Sequence, residues 1–278
     1  MMLLALLLSI TGIITLPLLL LRSGDARAER REWQRLLQYQ PASPAHYSPA
    51  LVDGLPEPAR RFFHFAIAPG TPLLTVAEIH MAGRFSLGSR DRPGFRRMQA
   101  TQVLAAPHGF VWQLQLPGLL PISGSDSGRW TRFFIAGLVP VARLGGDPDH
   151  ALAAYGRCIA EALLWTPAAL LPGPGISWQA VDADTARVTV CHNGLSQAVD
   201  ITVAADGQPL QVQFMRWTNA NAEHRYRRQA FGGYLSDFRE VQGYRLPFAV
   251  QAGNQFATSE WFAFYQAQIV SIRFPSLA

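Results

Sequence analysis

A strict two-residue alternation of apolar and polar side chains recurs from Val76 onward and constrains the fold more than any other feature. In the segment GFVWQLQL, residues 109–116, every second side chain is apolar. Comparable alternation occurs at 77–87, 188–190, 199–203, 210–214 and 270–274. This period is typical of antiparallel strands with one face buried and the other in water. The sequence therefore predicts an extensive antiparallel sheet with one apolar face.

Two helical patterns accompany the predicted strands. Apolar residues recur at helical spacing from Ala59 to Ile67, and Pro69–Gly70 marks the end of this amphipathic helix. The second helix follows Asp147, which can cap its N-terminus, with Pro148 in the first position. Helices that cover one face of an antiparallel sheet indicate an α+β fold.

The N-terminal run MMLLALLLSITGIITLPLLLL carries no charged side chain. A helix needs roughly 20 apolar residues to cross the hydrocarbon of a bilayer. We therefore predict an uncleaved transmembrane anchor at residues 1–21, with the lipid bilayer as its partner. A cleaved signal peptide is the alternative, since Ala26–Arg27–Ala28 has the form that cleavage prefers. Residues 22–47 are predicted to form a short helix and a linker, and 48–278 a single β-rich domain.

The charged residues give evidence on localisation but do not decide on which side of the membrane the C-terminal domain lies. The chain has a net charge of +5, and all its Lys+Arg residues are arginine. Five arginines follow the apolar run and none precedes it, which favours a cytoplasmic C-terminal domain. No basic run interleaves with aromatics, so nucleic acid is not a predicted partner. Cys158 and Cys191 could pair in an oxidising compartment or stay as two buried thiols.

Motifs that would fix a reaction are absent from the sequence. It has no G-x-S-x-G, no H-E-x-x-H, no paired C-x-x-C and no phosphate-binding glycine loop. We predict no catalytic residue, no metal and no cofactor. Glu78 and His80 share a strand face, but a structural pair explains them more simply. Arg225 and Arg227 could hold an anion, although exposed strand faces are routinely polar.

The segment FGGYLSDFREVQGYRLPF, residues 231–248, is interpreted as a hairpin rather than an active site. Its charged residues alternate with apolar ones instead of converging. Gln242–Gly243 is the predicted turn. Gly232–Gly233 suits a bulge or a close backbone approach, and Pro247 suits an edge or irregular position.

Several segments together carry a resemblance to a known family. They are LPEPARRFF followed by PGTP, GFVWQLQL, FIAGLVPVARL, EALLWTPAALLPG and FGGYLSDFREVQGYRLPF. With these, the chain resembles an uncharacterised bacterial family of membrane-anchored proteins. The resemblance implies no activity and no site residues, because the family is a domain of unknown function.

A looser likeness concerns the fold. The pattern Y-x-x-x-F-R-x-x-x-G-Y-R-L-P, from Tyr234 to Pro247, is similar to the late hairpin of the LolA-like lipoprotein carriers. This likeness implies a curved antiparallel sheet, a half-barrel, whose apolar concave face is plugged by helices. It also favours an extracytoplasmic domain, against the arginine flank. The predicted fold class is thus α+β, a half-barrel covered by a few helices after one transmembrane helix.

The function predicted first is a non-catalytic, membrane-tethered protein that binds a lipid or other apolar ligand in the half-barrel. The predicted wall comprises Ile79, Phe85, Trp112, Leu114, Val212, Phe214, Tyr234 and Trp261. Plain core packing is the simpler explanation for each of these residues, since apolar strand positions mostly serve packing. The alternatives are an envelope structural or protein-interaction module with a filled core, and, less favoured, a hydrolase that uses Glu78, His80 or the arginine pair.

Overall fold

A computed structural model describes residues 2–276, with side chains from residue 15 onward. This part of the chain has the helices α1 (Met2–Leu37), α2 (Glu57–Ala66) and α3 (Pro148–Trp165), and short 3-10 helices at Pro49–Val52 and Pro167–Leu170. Its strands are β1 Ala77–Ser86, β2 Phe95–Ala105, β3 Gly109–Leu116, β4 Ile122–Ser127, β5 Trp130–Ile135, β6 Val139–Gly145, β7 Ile176–Ala180, β8 Thr185–His192, β9 Leu195–Val203, β10 Pro209–Thr218, β11 Arg227–Val241, β12 Tyr244–Asn254 and β13 Phe262–Arg273.

These thirteen strands form one antiparallel sheet, in the order β6-β5-β4-β3-β2-β1-β13-β12-β11-β10-β9-β8-β7. Strands that follow one another in the chain are mostly neighbours in the sheet. The first and last strands, β1 and β13, pair with each other near its middle. The sheet is open, because β6 and β7 lie at opposite ends of the order and do not pair.

The sheet curves around α3. This helix contacts β2 and β3 on one side and β9 and β10 on the other. It also contacts β6. In a flat sheet β6 and β9 would lie roughly 48 Å apart at ~4.8 Å per strand, far beyond the ~27 Å length of an 18-residue helix. Curvature therefore brings both halves of the sheet onto α3, and the main hydrophobic core lies on this concave face.

The two shorter helices are built by local signals in the sequence. Asp147 caps α3 by accepting a hydrogen bond from the backbone N–H of His150 at 2.8 Å, with Pro148 at the first helical position. The α2 helix buries Phe62 and Phe63, which pack against Trp178 on β7. It covers the sheet beside α3, next to β7, β8, β9 and β12.

The described part of α1 packs on the other face of the sheet. Leu36 joins a separate small core with Val76 and with residues of β2 and β3. The indole N–H of Trp33 donates to the Glu78 carboxylate at 3.1 Å, and the Gln113 amide donates to Glu29 at 2.7 Å. The sheet therefore lies between helices, with α1 on its convex face and α2 and α3 on its concave face.

The structure corrects the predicted fold class. The prediction of a transmembrane helix over 1–21 is wrong, because no helix among the described residues is both long enough and apolar enough to cross a membrane. Instead α1 runs without a break from Met2 to Leu37, and its later turns carry charges that contact the sheet. The side chains of residues 1–14, where part of that prediction fell, lie outside the description. A single-pass membrane localisation is therefore unsupported, and the proposed domain division stays a prediction.

The predicted hairpin at 231–248 is confirmed. Val241 pairs with Tyr244, and Gln242 and Gly243 between them both have positive φ, 50° and 88°. Two such residues form the tight turn that matches the twist of paired strands. A Cβ on Gly232 would come within 2.6 Å of the Phe256 ring, so the glycine allows this ring to lie close to the strand backbone.

The two cysteines do not pair. Cys158 is buried, Cys191 is exposed and both are free thiols.

Asp25 ties α1 to the edge of the sheet. This carboxylate is only 6 % exposed and forms ion pairs with Arg132 on β5, at 2.8 Å, and with Arg143 on β6. We expect Asp25→Asn to lower the free energy of unfolding by about 1–3 kcal/mol. That is less than the ~3–5 kcal/mol for breaking a fully buried pair, because both arginines are partly exposed. Denaturant unfolding of the full chain measures this change.

Glu223→Gln is the matched control for Asp25→Asn, since Glu223 forms an exposed pair with Arg227 at 3.0 Å. It should change the free energy of unfolding by no more than about 0.5 kcal/mol. Equal effects of the two substitutions would show that the Asp25 pairs do not hold α1 on the sheet.

Candidate ligand cavity

An apolar cavity of about 320 Å³ lies between α3 and the concave face of the sheet. This volume is at the lower end of the roughly 300–1,000 Å³ typical of small-molecule sites. Strands from both halves of the sheet supply its walls. The large apolar side chains from the sheet are Phe85, Trp112, Phe133, Phe214, Phe231, Leu235, Val250 and Phe264.

One stripe of α3 forms the remaining wall. It consists of Arg157, Ala160, Glu161, Leu164 and Trp165, which recur at helical spacing. Residues three and four apart lie on one face of a helix. Most other side chains of this helix are buried in the core, so its charged residues need partners within the protein.

Arg157 has such partners. Its guanidinium contacts the Asp126 carboxylate on β4 at 2.9 Å and the Glu161 carboxylate at 2.6 Å. It also donates to the amide oxygen of Gln102 at 3.1 Å. Burial on its own would lower the pKa of Arg157, but the two carboxylates outweigh it and the net shift of this pKa is upward.

Arg216 on β10 lines the same cavity but, unlike Arg157, has no carboxylate partner within residues 15–276. Its guanidinium lies 4.9 Å from the centroid of the Phe231 ring. Within residues 15–276, its Nε is buried and has no hydrogen-bond partner. Burial lowers the pKa of Arg216 and the nearby Arg157 charge adds to this effect, while Asp126 and Glu161 oppose it. The cavity thus holds one paired arginine and one that forms no ion pair with any residue from 15 to 276.

The structure brings together some of the predicted wall residues. Phe85, Trp112, Val212 and Phe214 line the cavity. Ile79 and Leu114 are buried in the core but do not reach it.

Two predicted wall residues lie elsewhere. Tyr234 is 48 % exposed and packs edge-on against Trp261, with ring centroids 5.2 Å apart, and both contact Phe256. The neighbouring Leu235 takes the inward position on β11, because side chains alternate along a strand.

The residues considered for catalysis or anion binding do not meet in one site. Glu78 is bound by Trp33 and Arg273 on the α1 side of the sheet, and His80 is exposed. Arg225 lies in the loop before β11, where its backbone N–H donates to Asn221 at 3.1 Å. Arg227 pairs with the exposed Glu223. None of these four lines the cavity, and the described residues contain no cluster of three His, Cys, Asp or Glu that could hold a metal.

The polar residues of the cavity were missed from the sequence, although two signals pointed to them. Arg157 and Glu161 stand four apart in a helix that is otherwise largely apolar. Arg216 follows Val212 and Phe214 at two-residue steps, so it occupies an inward position of β10. A charged residue at an inward-facing position of an otherwise apolar strand needs an explanation.

The chain belongs to a family of unknown function, DUF6544, whose sequence profile matches residues 45–266. This confirms the resemblance to an uncharacterised family. No curated protein matches the chain.

Solved structures with a similar fold include a LolA superfamily protein from Nitrosomonas europaea. It is 12 % identical with a TM-score of 0.43, over 80 % of this chain and 93 % of that one. Another is a domain from Vibrio parahaemolyticus titled as an outer membrane lipoprotein-sorting protein, 9 % identical with a TM-score of 0.35, over 72 % and 85 % of the two chains. Both likenesses concern the fold alone.

Arg157 should be essential to the stability of the cavity wall. We expect Arg157→Met to lower the free energy of unfolding by about 1–3 kcal/mol, because it leaves the partly exposed Asp126 and Glu161 carboxylates without their counter-ion. Adding Asp126→Asn and Glu161→Gln should recover much of this loss, since no unpaired charge then remains. If the triple variant is no more stable than Arg157→Met in denaturant unfolding, the ion pairs do not explain the role of Arg157.

Proposed function

We propose that this protein binds a lipid or another apolar ligand in the cavity between α3 and the sheet. The observation that carries the proposal is the cavity itself, about 320 Å³ bounded mainly by aromatic and aliphatic side chains. Protein interiors are normally packed as densely as organic crystals, with few voids larger than a water molecule. A space of this size in the core is therefore better suited to a ligand than to packing alone.

The hydrophobic effect supplies the driving force for such binding. Each CH₂ group that moves from water into the cavity contributes about 0.8 kcal/mol. Water filling the same space would face mostly rings and aliphatic groups, because the polar lining residues are few and Asp126, Arg157 and Glu161 already bind one another. An apolar chain is thus the occupant that these walls favour.

The cavity also separates this proposal from the filled-core alternative. A structural or interaction module with a filled core would need no such space. A hydrolase using Glu78, His80 or the arginine pair is not favoured, because these groups lie apart and outside the cavity.

Ala252→Phe tests the proposal, because Ala252 on β12 lines the cavity and a benzyl group there would occupy it. The neutral apolar dye N-phenyl-1-naphthylamine should bind the full chain. We expect the substitution to weaken dye binding about tenfold or more, or ~1.4 kcal/mol for each factor of ten. Fluorescence titration measures the affinity.

Ala249→Phe is the matched control, since Ala249 lies on the same strand but does not line the cavity. It should leave the affinity for the dye unchanged. The proposal would fail if the wild-type chain bound no dye, or if the two substitutions weakened binding equally.

A further inference from the structure

Two hydrogen-bond donors in the cavity wall have no acceptor. They are the Nε of Arg216 and the indole Nε1 of Trp112, both buried and without a partner among residues 15–276. Both residues line the cavity, from β10 in one half of the sheet and β3 in the other. Buried donors are nearly always satisfied in folded proteins, so two orphans in one cavity require an explanation.

The carboxylates nearby do not supply the missing acceptor. Both Asp126 and Glu161 bind Arg157, at 2.9 and 2.6 Å. Asp126 also accepts a hydrogen bond from the hydroxyl of Thr131 at 2.6 Å, and Glu161 accepts one from the Gln102 amide. These two carboxylates are thus already engaged, while within residues 15–276 the Arg216 guanidinium contacts the face of Phe231 and forms no ion pair.

An unpaired guanidinium beside apolar walls matches a particular class of ligand. It presents planar N–H groups that suit the two oxygens of a carboxylate or phosphate. The indole of Trp112 can only donate, so it too would bind an acceptor and not a cationic or donor group. Apolar side chains, including Phe214, Phe231 and Leu235, line the same space and would contact an alkyl chain.

We propose that the cavity binds an amphiphile with an anionic head group, a carboxylate or a phosphate. The head group accepts hydrogen bonds from Arg216 and Trp112, and the tail lies against the aromatic wall. This inference rests on the proposed function and names the class of its ligand. It also accounts for the buried Nε of Arg216, whose missing hydrogen bond is supplied when the anion binds.

Three ligands with the same sixteen-carbon chain test the head group. Hexadecanoate, hexadecyl phosphate and methyl hexadecanoate would each displace N-phenyl-1-naphthylamine from the full chain. We expect at least one anion to bind about tenfold or more tightly than the neutral ester, since hydrogen bonds to charged groups are roughly twice as strong as neutral ones. The ratio between the two anions distinguishes a carboxylate from a phosphate ligand.

Substitutions at Arg216 and Trp112 test whether these two donors cause the preference for an anionic head group. Arg216→Met should abolish the preference for the anion and leave ester binding unchanged, and Arg216→Lys should retain part of it. Trp112→Phe removes the N–H but keeps an aromatic ring, and it should weaken anion binding severalfold. Arg225→Met, which removes an exposed arginine outside the cavity, is the matched control and should have no effect.

The outcomes separate the two proposals. If the dye and the ester bind but no anion binds more tightly, the anionic head group is wrong and the apolar site stands. If neither dye nor ester binds, the proposed function itself fails. Loss of anion and ester binding together in both Arg216→Met and Arg216→Lys would show that Arg216 shapes the cavity, and would overturn its assignment to the head group.

Discussion

The contact of α3 with both halves of one open sheet is the constraint on which the rest of the structure depends. The sheet must curve to bury both halves of its apolar face on a single helix. The two inner helices α2 and α3 do not fill the whole concave side of this sheet, and a space remains beside one stripe of α3. The curvature, the core and the cavity are therefore consequences of the same packing.

The alternation of apolar and polar residues predicted the strands well. It predicted less well which side chains face the core where a bulge interrupts the strand pairing. Leu210 and Val270 were placed on the apolar face, yet they are 41 % and 65 % exposed. The register of β10 shifts beside Leu210, and that of β13 beside Val270. An extra residue in a strand reverses which side chains point inward, and nothing in the local sequence marks it. The apolar N-terminal run misled in another way, because its length and its lack of charged side chains suggested a transmembrane helix.

The candidate site was predictable in its apolar part and not in its polar part. Four of the predicted wall residues meet in the cavity because strand periodicity carries through to the structure. Arg157, Asp126 and Glu161 come from α3 and β4, and only the folded chain shows that they form one cluster. Arg216 was visible in the phase of β10, but its lack of an ion-pair partner is a property of the tertiary structure. That lack of a partner is the observation on which the proposed anionic head group rests.

The most direct test of the account is native mass spectrometry of the full chain after gentle purification without detergent. The account predicts a population heavier than the bare chain by one lipid-sized ligand, which solvent extraction then releases as an amphiphile. A chain that carries no ligand, and that stays bare when incubated with lipids, would contradict the claim that this cavity is a binding site.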